Sequence, residues 1–438
     1  MPLGAITLEI DVVLSSAADR CSGPRQSNDL VRTAKRLRGE TYARAELFGR
    51  RVASGMAEPV ERSRRTPLSD VARVFLRLGV VSFGGPAAHV ALMEEEIVRR
   101  RRWLTHESFL DLLGAANLIP GPNSTELAIH VGYARAGWPG LLVAGACFIV
   151  PAAVIVTALA WSYVSYGSLP AIAGVLAGVK PVVIAIVAQA IWNLGRRVLS
   201  SRIALALGIA CAIAAALGVN ELALLGAAGV AMWALCASRR SSDGGRGRAI
   251  GVLALPMLAA TPSAFTLGGL FLVFLKIGSV LFGSGYVLLA FLRADLVVRL
   301  GWITERQLLD AVAVGQVTPG PVFTTATFIG YLLGGPVGAA VATAGIFLPA
   351  FVFVAASGPL LPLVRRSPDA RAALDGVNVA SLALMAVVTV QLARSALTGP
   401  MGLVLAVASA VALMRFRVSA AWLVLAGALL GLGFSLVH

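Results

Sequence analysis

Charged side chains are scarce in this chain. Asp, Glu, Lys and Arg make up 13% of its 438 residues, 58% of the residues are hydrophobic, and the mean hydropathy is +0.82. This composition excludes an ordinary soluble globular protein and indicates an all-α, polytopic membrane protein. The formal net charge of +15 is high enough for a nucleic-acid binder. The arginines, however, concentrate in the N-terminal tail and in short loops between apolar runs, which is typical of cytoplasmic loops, so no nucleic-acid partner is predicted.

Cysteines and catalytic motifs are also few. The four cysteines have no Cys-x-x-Cys spacing, so neither a disulfide framework nor a zinc site is indicated. The sequence contains no nucleophile elbow, no phosphate-binding Gly-x-x-x-x-Gly-Lys loop and no His-Glu-x-x-His. We therefore predict neither an enzyme nor a cofactor or metal site. Any transport by this chain would have to use an ion gradient, a counter-substrate or a partner protein.

Four regions follow from the distribution of apolar runs. Residues 1–66 are basic and contain no run long enough to span a bilayer, which predicts a disordered cytoplasmic tail. Met56 offers an alternative start of translation. Residues 67–238 form a first membrane repeat, 239–264 a cytoplasmic linker with an optional extra span, and 265–438 a second membrane repeat.

The two membrane regions are copies of one unit. Val74–Leu127 aligns without gaps on Val273–Ala326 at an offset of 199, and 18 of the 54 positions are identical. The identical positions of the first copy include Phe83, Gly84, Trp103, Asp111, Pro120, Gly121 and Pro122. Two related halves of a membrane transporter usually hold the substrate between them.

Twelve apolar segments are long enough to be candidate spans, because a bilayer core needs roughly 20 apolar residues. They are 70–92, 109–131, 138–161, 170–192, 203–219 and 221–237, then 265–291, 308–333, 336–358, 371–393, 400–414 and 419–437. A weaker segment at 249–263 brings the prediction to 12–13 transmembrane segments.

Positive charge in the loops predicts the direction of each repeat, because Lys and Arg stay on the cytoplasmic side. The connection Ser162–Leu169 carries neither residue, whereas its counterpart carries Arg365 and Arg366. The repeats are therefore predicted to be inverted, with the N-terminus inside and the C-terminus outside. Arg99–Arg102 disagrees with this topology. Either the preceding glutamates offset its charge, or 70–92 is a re-entrant segment.

Each repeat contains two apolar segments that a continuous helix tolerates badly. The first is interrupted at Ser82–Pro86 and at Leu281–Gly285, and the second at Pro120–Glu126 and at Pro319–Thr325. Pro removes a backbone donor and Gly permits an unwound backbone, so such breaks survive in a membrane only against protein or a wet cavity. A helix that restarts after a break presents free N–H groups, which favour an anion. The candidate binding residues are Gly84, Gly85, Pro86, Pro120, Gly121, Pro122, Asn123, Ser124, Thr125, Gly283, Gly285, Pro319, Gly320, Pro321, Thr324 and Thr325.

Ionisable residues near the breaks supply further candidates. Lys180, Lys276 and Arg77 are predicted to provide positive charge, and Arg77 occupies the repeat position of Lys276. The alternative for the lysines is that they snorkel to the interface. Glu126 is the candidate for proton coupling, although a helix cap is the alternative. His89 and His130, taken individually, are interpreted as packing residues rather than proton carriers. Asp111 and Asp310 are interpreted as helix-entry and interface residues.

These motifs resemble the chromate ion transporter family, in its long two-domain form, over about residues 68–437. The segments that carry the resemblance are Phe83–Pro86 with His89, Pro120–Glu126, Phe282–Tyr286 and Gly315–Tyr331. The last segment adds Gln316 to the candidate binding residues.

The resemblance implies efflux of chromate across a bacterial inner membrane, chromate resistance, inverted halves and energy from the proton motive force. Protons would then be the coupling ion, through Glu126 and His89. Sulfate has the same shape and charge as chromate, so a carrier for sulfate or another anion is the alternative. A membrane-embedded enzyme or scaffold is a third class. The sequence leaves a homodimer open.

Overall fold

The structure is a computed structural model that describes residues 66–83, 85–167, 169–242, 265–282, 285–397, 399–416 and 418–437. All regular secondary structure within these ranges is helical, as predicted. The predicted tail up to residue 65, the weak segment 249–263 and the candidate residues Gly84 and Gly283 lie outside the described residues.

The described residues form fourteen α-helices, and the same order of elements occurs twice. The first repeat contains α1 (Leu68–Val81), α2 (Pro86–Glu94), α3 (His106–Ala116), α4 (Asn123–Tyr166), α5 (Pro170–Val198), α6 (Arg202–Ala216) and α7 (Glu221–Ser242). The second contains α8 (Leu267–Val280), α9 (Leu288–Leu292), α10 (Glu305–Val317), α11 (Thr325–Arg366), α12 (Pro368–Ala396), α13 (Pro400–Arg415) and α14 (Ala420–Val437). Short π-helical segments follow α2 (Glu95–Arg100) and α9 (Arg293–Arg299), and 3-10 turns precede α9 (Gly285–Val287) and α11 (Val322–Thr324).

Local sequence signals explain where several of these helices begin. The Thr105 hydroxyl accepts a hydrogen bond from the Ser108 amide at the start of α3. Thr304 caps α10 at the equivalent position and forms a capping box with Gln307. Proline opens α2, α5, α12 and α13, because its fixed φ and missing N–H cost nothing in the first turn.

Both long helices, α4 and α11, fold back on themselves. In α4 the helical geometry is interrupted at Ala136 and Gly137, where Gly137 has φ 64°, and in α11 Gly335 has φ 61°. The two legs of α4 approach so closely that a Cβ atom on Gly132 would overlap the carbonyl group of Gly140. Each long helix is thus a tight hairpin with a short first leg and a long second leg.

Three residues of the first repeat that are far apart in the sequence are joined by hydrogen bonds. The Arg135 guanidinium donates to the Thr66 hydroxyl (3.0 Å) and to the Trp103 carbonyl (2.9 Å). Arg135 lies at the end of the first leg of α4, Thr66 precedes α1, and Trp103 lies between α2 and α3. The chain therefore runs away from this contact along α1 and back towards it along α2. It then runs away again along α3 and back along the first leg of α4. In the second repeat Phe265 and Trp302 stack edge to face at 5.3 Å, which reproduces the arrangement.

The predicted spans 70–92, 109–131, 265–291 and 308–333 are interrupted where the sequence predicts helix breaks, and each consists of two shorter helices between which the chain reverses direction. For 70–92 this reversal agrees with the re-entrant alternative. A hydropathy window adds the two apolar halves together and misses the reversal. By length and composition, five described helices are able to cross a membrane: Asn123–Tyr166, Ile172–Val198, Glu221–Ser238, Val322–Ser357 and Pro368–Arg394.

Helices of the two repeats also pack against each other. Helix α5 of the first repeat packs on α14 of the second, where a Cβ atom on Gly178 would lie 2.9 Å from Gly431 Cα. Helix α12 of the second repeat packs on α7 of the first, where Gly376 lies against the Ala228 carbonyl. Small residues let helix backbones approach closely in membrane proteins.

Candidate anion-binding site

The four helix breaks meet in pairs across the two repeats. The Gly121 amide donates to the Leu281 carbonyl, and the Gly320 amide donates to the Ser82 carbonyl, both at 2.8 Å. Gly121 and Gly320 are equivalent in the two repeats, and so are Ser82 and Leu281. Each Pro-Gly-Pro corner is thus bonded to the Phe-Gly break of the other repeat. The helix breaks of the two repeats therefore contact each other.

Glycine is required at both corners. Gly121 has φ 136° and Gly320 has φ 87°, a region that other residues adopt at a cost. A Cβ atom on Gly121 would overlap the Glu126 carboxylate, and one on Gly320 would lie 2.6 Å from Ala152 Cβ. Gly85, with φ 82°, turns the chain into α2 in the same way. The backbone can therefore unwind here only because side chains are missing.

The first-repeat corner holds a buried polar cluster. His89 Nδ1 lies 3.3 Å from Ser124 Oγ, and both side chains are buried. Glu126 is fully buried, and neither of its carboxylate oxygens has a hydrogen-bond partner among the described residues. The same is true of Thr125 Oγ1 and Ser82 Oγ. Buried polar groups without partners cost free energy, so this cluster needs either water, a proton or a ligand.

His130 connects this cluster to the second repeat. Its Nδ1 donates to the Glu126 carbonyl (2.9 Å), and its Nε2 lies 3.1 Å from Ser357 Oγ on α11. Sequence reasoning left His130 as a packing residue, because nothing in one sequence reveals that residues 130 and 357 meet. The structure places it one helical turn from Glu126, on the side facing the other repeat.

Two small cavities lie beside the helix breaks, the larger between the two corners and the smaller among residues of the second repeat and Val187 of α5. One, of about 20 Å³, is lined by Pro86, Pro122, Asn123, Ser124, Gly285, Val322 and Phe323. The other, of about 10 Å³, is lined by residues that include Gln316 and Thr325. Each has room for about one water molecule. A tetrahedral oxyanion is larger, so the centre is closed in this structure.

The second-repeat corner is less polar than expected. Val322 and Phe323 stand at the positions of Asn123 and Ser124. The hydroxyls of Thr324 and Thr325 donate to carbonyls of their own turn, those of Pro321 and Val322. In this closed state the two threonines are therefore not free donors for an anion.

The predicted cations lie outside the two small cavities, and each has a carboxylate partner. Lys180 Nζ lies 2.9 Å from Asp310 Oδ1, Lys276 Nζ lies 2.5 Å from Asp295 Oδ2, and Arg77 lies 3.9 Å from Glu96. The last two pairs occupy equivalent positions, which agrees with the predicted symmetry of Arg77 and Lys276.

Asp310 is not the helix-entry residue that the sequence suggested. It is fully buried on α10, where it pairs with Lys180 and accepts a hydrogen bond from the Tyr163 hydroxyl (3.0 Å). Its repeat counterpart Asp111 is exposed. No sequence signal distinguishes the two, because their Trp-x-Thr contexts and spacings are the same.

Comparison with known proteins identifies relatives over most of the chain. A family profile described as "Chromate transporter" matches residues 69–233 and 268–432, once per repeat. A chromate transport protein of Cupriavidus metallidurans is 32% identical over 378 residues, covering 85% of this chain and 94% of that protein. A probable chromate transport protein of Synechococcus elongatus is 33% identical, covering 75% and 86%. A chromate transport protein of Pseudomonas aeruginosa is also 33% identical, covering 73% and 80%. No solved structure is significantly similar to the chain.

Proposed function

Because the chain belongs to the chromate transporter family, we propose that it is a secondary active transporter that exports chromate from the cytoplasm, driven by the proton motive force. It would act in a bacterial plasma membrane and confer chromate resistance. The observation that carries the proposal is the buried polar cluster of the first-repeat corner, held between helix breaks of both repeats.

Chromate is a tetrahedral dianion that needs several hydrogen-bond donors when it leaves water. The start of α4 offers the side chains of Asn123 and Ser124 and the backbone N–H groups of the same two residues, whereas the N–H groups of Thr125 and Glu126 donate to the Pro122 carbonyl. The Asn123 side-chain amide also donates to Asn117 Oδ1 (2.6 Å), so an anion would have to share or replace that contact. The amides of Gly121 and Gly320 are now bonded to carbonyls of the other repeat. Opening of the centre would free these amides, and chromate oxygens would replace the carbonyls as acceptors.

Glu126 is proposed as the proton carrier. It is enclosed at the corner, beside Gly121 and one turn from His130. An ionised carboxylate is expensive in such surroundings unless it is paired or neutralised by a proton. Exchange of a proton at Glu126, with His89 on the other side of Ser124, would couple the gradient to anion movement.

The repeats are proposed to be inverted. On α4 and α11 the long second legs meet near Gly145, where an added Cβ would lie 2.5 Å from the Phe351 ring. With the hairpins counted as re-entrant, four described helices cross in each repeat, and an inversion then requires an odd number of crossings between the repeats. Arg99–Arg102 then lies on the same side as Arg135, which removes the disagreement in the loop charges. The N-terminus is inside and the C-terminus outside.

A transport assay in proteoliposomes tests the coupling. Under an imposed proton gradient, Glu126→Gln should reduce driven chromate uptake at least about tenfold, because the carried proton is lost. Glu107→Gln, which removes an exposed carboxylate at the start of α3, is the matched control and should transport normally. Normal driven uptake by Glu126→Gln would contradict the role of Glu126.

The same assay addresses the alternative, a carrier for sulfate. In this assay, sulfate should compete with chromate for entry to the same site. A second experiment, chromate tolerance of a sensitive host that expresses the chain, tests the export direction. Topology reporters test the inversion. Labels in Ser162–Leu169 and in Arg365–Arg371 should report opposite sides of the membrane, and reporting from one side would contradict it.

A further inference from the structure

A third cavity, much larger than the two central ones, opens between α5, α10, α13 and α14. Its volume is about 420 Å³, and its lining combines residues of both repeats. Half of the lining residues are small or apolar residues of α5 and α14. The polar part is concentrated in three features, which are Lys180 of α5, Arg306 of α10 and the N-terminal turn of α13.

All three features carry positive potential. The side chain of Lys180 is 12% exposed and reaches Asp310 on one side, while it lines the cavity on the other. Arg306 is exposed and has no ion-pair partner among the described residues. The first turn of α13 contributes Gly399, Met401 and Gly402 to the wall, and no side chain caps it. Unbonded N–H groups of a helix N-terminus favour anions.

The geometry points to a second oxyanion site in this cavity, with Lys180, Arg306 and the N-terminal amides of α13 as its donors. Asp310 offsets one of the two cationic charges, so the cavity keeps one uncompensated cation together with the helix end. A small tetrahedral oxyanion such as chromate or sulfate fits this donor set and this volume. The choice of chromate as the natural ligand rests on the proposed function, whereas the site itself does not.

The position of Lys180 connects this cavity with the centre. Its partner Asp310 lies on α10 six residues before Gln316, which lines a central cavity, and this separation is about 9 Å along a helix axis. An anion that leaves the centre along α10 therefore meets Lys180 first and Arg306 next. Under the proposed topology, the cavity lies at the outer end of the molecule, as a vestibule for release.

Thiol protection on the full-length chain tests the site. In a chain whose four native cysteines are replaced by alanine, and which still transports, Met401→Cys places a reporter in the wall. An anionic methanethiosulfonate reagent should react with it faster than a cationic one. Sulfate or chromate should slow the reaction, compared with chloride at equal ionic strength.

Charge variants identify the donors. Arg306→Gln should raise the sulfate concentration for half protection about fivefold, because one cation is lost from the wall. Arg394→Gln removes the same charge from an exposed position at the same end of the molecule, outside the cavity wall, and should change it by less than about twofold. Equal shifts in both variants would mean that only the general surface potential matters, and would overturn the site.

Two further outcomes would also overturn it. One is reaction of Met401→Cys at the same rate with and without sulfate or chromate. The other is protection that requires added anionic phospholipid and is absent with free oxyanions, since a lipid headgroup would then be the ligand. Glu126→Gln should lose driven transport and keep full protection, so failure of the proposed function and failure of this site give different results.

Discussion

The two repeats share one backbone and differ in the chemistry placed on it. At the first-repeat corner the helix restarts with Asn123, Ser124 and Glu126, and at the second it restarts with Val322, Phe323 and Thr325. Both corners nevertheless bond to the other repeat through the same glycine amide at the same distance. The duplicated feature is therefore the unwound backbone. The buried polar cluster of Ser124, Glu126 and His89 is present in one copy only.

The ionic residues are distributed in the opposite sense. The second repeat buries Asp310, which is held by Lys180 and Tyr163, whereas the equivalent Asp111 of the first repeat is exposed. One corner thus has buried polar groups that lack partners, and the other repeat has a buried carboxylate that pairs with a lysine and accepts a hydrogen bond from a tyrosine. Under the proposed function, proton chemistry belongs to the first arrangement and structural pairing to the second.

The largest expected effect tests the part that the repeats share. Gly121→Ala and Gly320→Ala should each abolish transport and destabilise the folded protein by about 3 kcal/mol or more, because both positions have positive φ and no room for Cβ. Thermal unfolding of the purified protein in detergent measures the loss.

Gly226→Ala is the control for both variants. Gly226 lies within α7, where nothing lies within 4 Å of an added Cβ, so alanine should be neutral or slightly stabilising there. If only one of the two corner variants lost stability, the corners would not be equivalent, and the comparison would fail.

A smaller effect is expected where the repeats differ in burial. Asp310→Asn should destabilise the protein by about 3 kcal/mol, because it leaves Lys180 without its charged partner in a buried position. Asp111→Asn, at the same repeat position, should change stability by about 0.5 kcal/mol or less. Unfolding temperatures of the two variants provide the measurement, and similar values would show that the burial of Asp310 has no energetic consequence.

The smallest effect compares hydroxyls at the two corners. Ser124→Ala removes the contact with His89 and should cost about 1 kcal/mol, together with a weaker apparent affinity for chromate. Thr325→Val removes a hydroxyl that donates only to its own turn, so chromate affinity should stay within about twofold. Initial transport rates at a series of chromate concentrations separate the two, and an equal loss of affinity would place the binding chemistry on both corners.

Much of this arrangement is readable in the sequence. The offset between the copies predicts the repeat. Pro-Gly-Pro predicts a helix break, because Pro removes a backbone donor and Gly permits an unwound backbone. The equivalence of Arg77 and Lys276 predicts matching charges, and the structure gives both an acidic partner. These signals are local, so a single sequence contains them.

Other parts depend on contacts between distant residues. The reversal at each Phe-Gly break follows from the meeting of Thr66, Trp103 and Arg135, which no hydropathy window includes. The hydrogen bonds from the Gly121 and Gly320 amides to the opposite repeat also depend on contacts between distant residues, and so does the burial of Asp310. Sequence patterns identify which backbone groups are released from a helix. They do not identify the acceptors that those groups find.

The reciprocal hydrogen bonds at the centre have a consequence for the chain as a whole. The Gly121 amide donates to Leu281 and the Gly320 amide donates to Ser82, so a polypeptide cut between the copies would leave one of these donors without its acceptor in each fragment. Neither fragment is self-sufficient at its Pro-Gly-Pro corner. Co-expressed fragments would have to associate before either Pro-Gly-Pro corner could form its hydrogen bond.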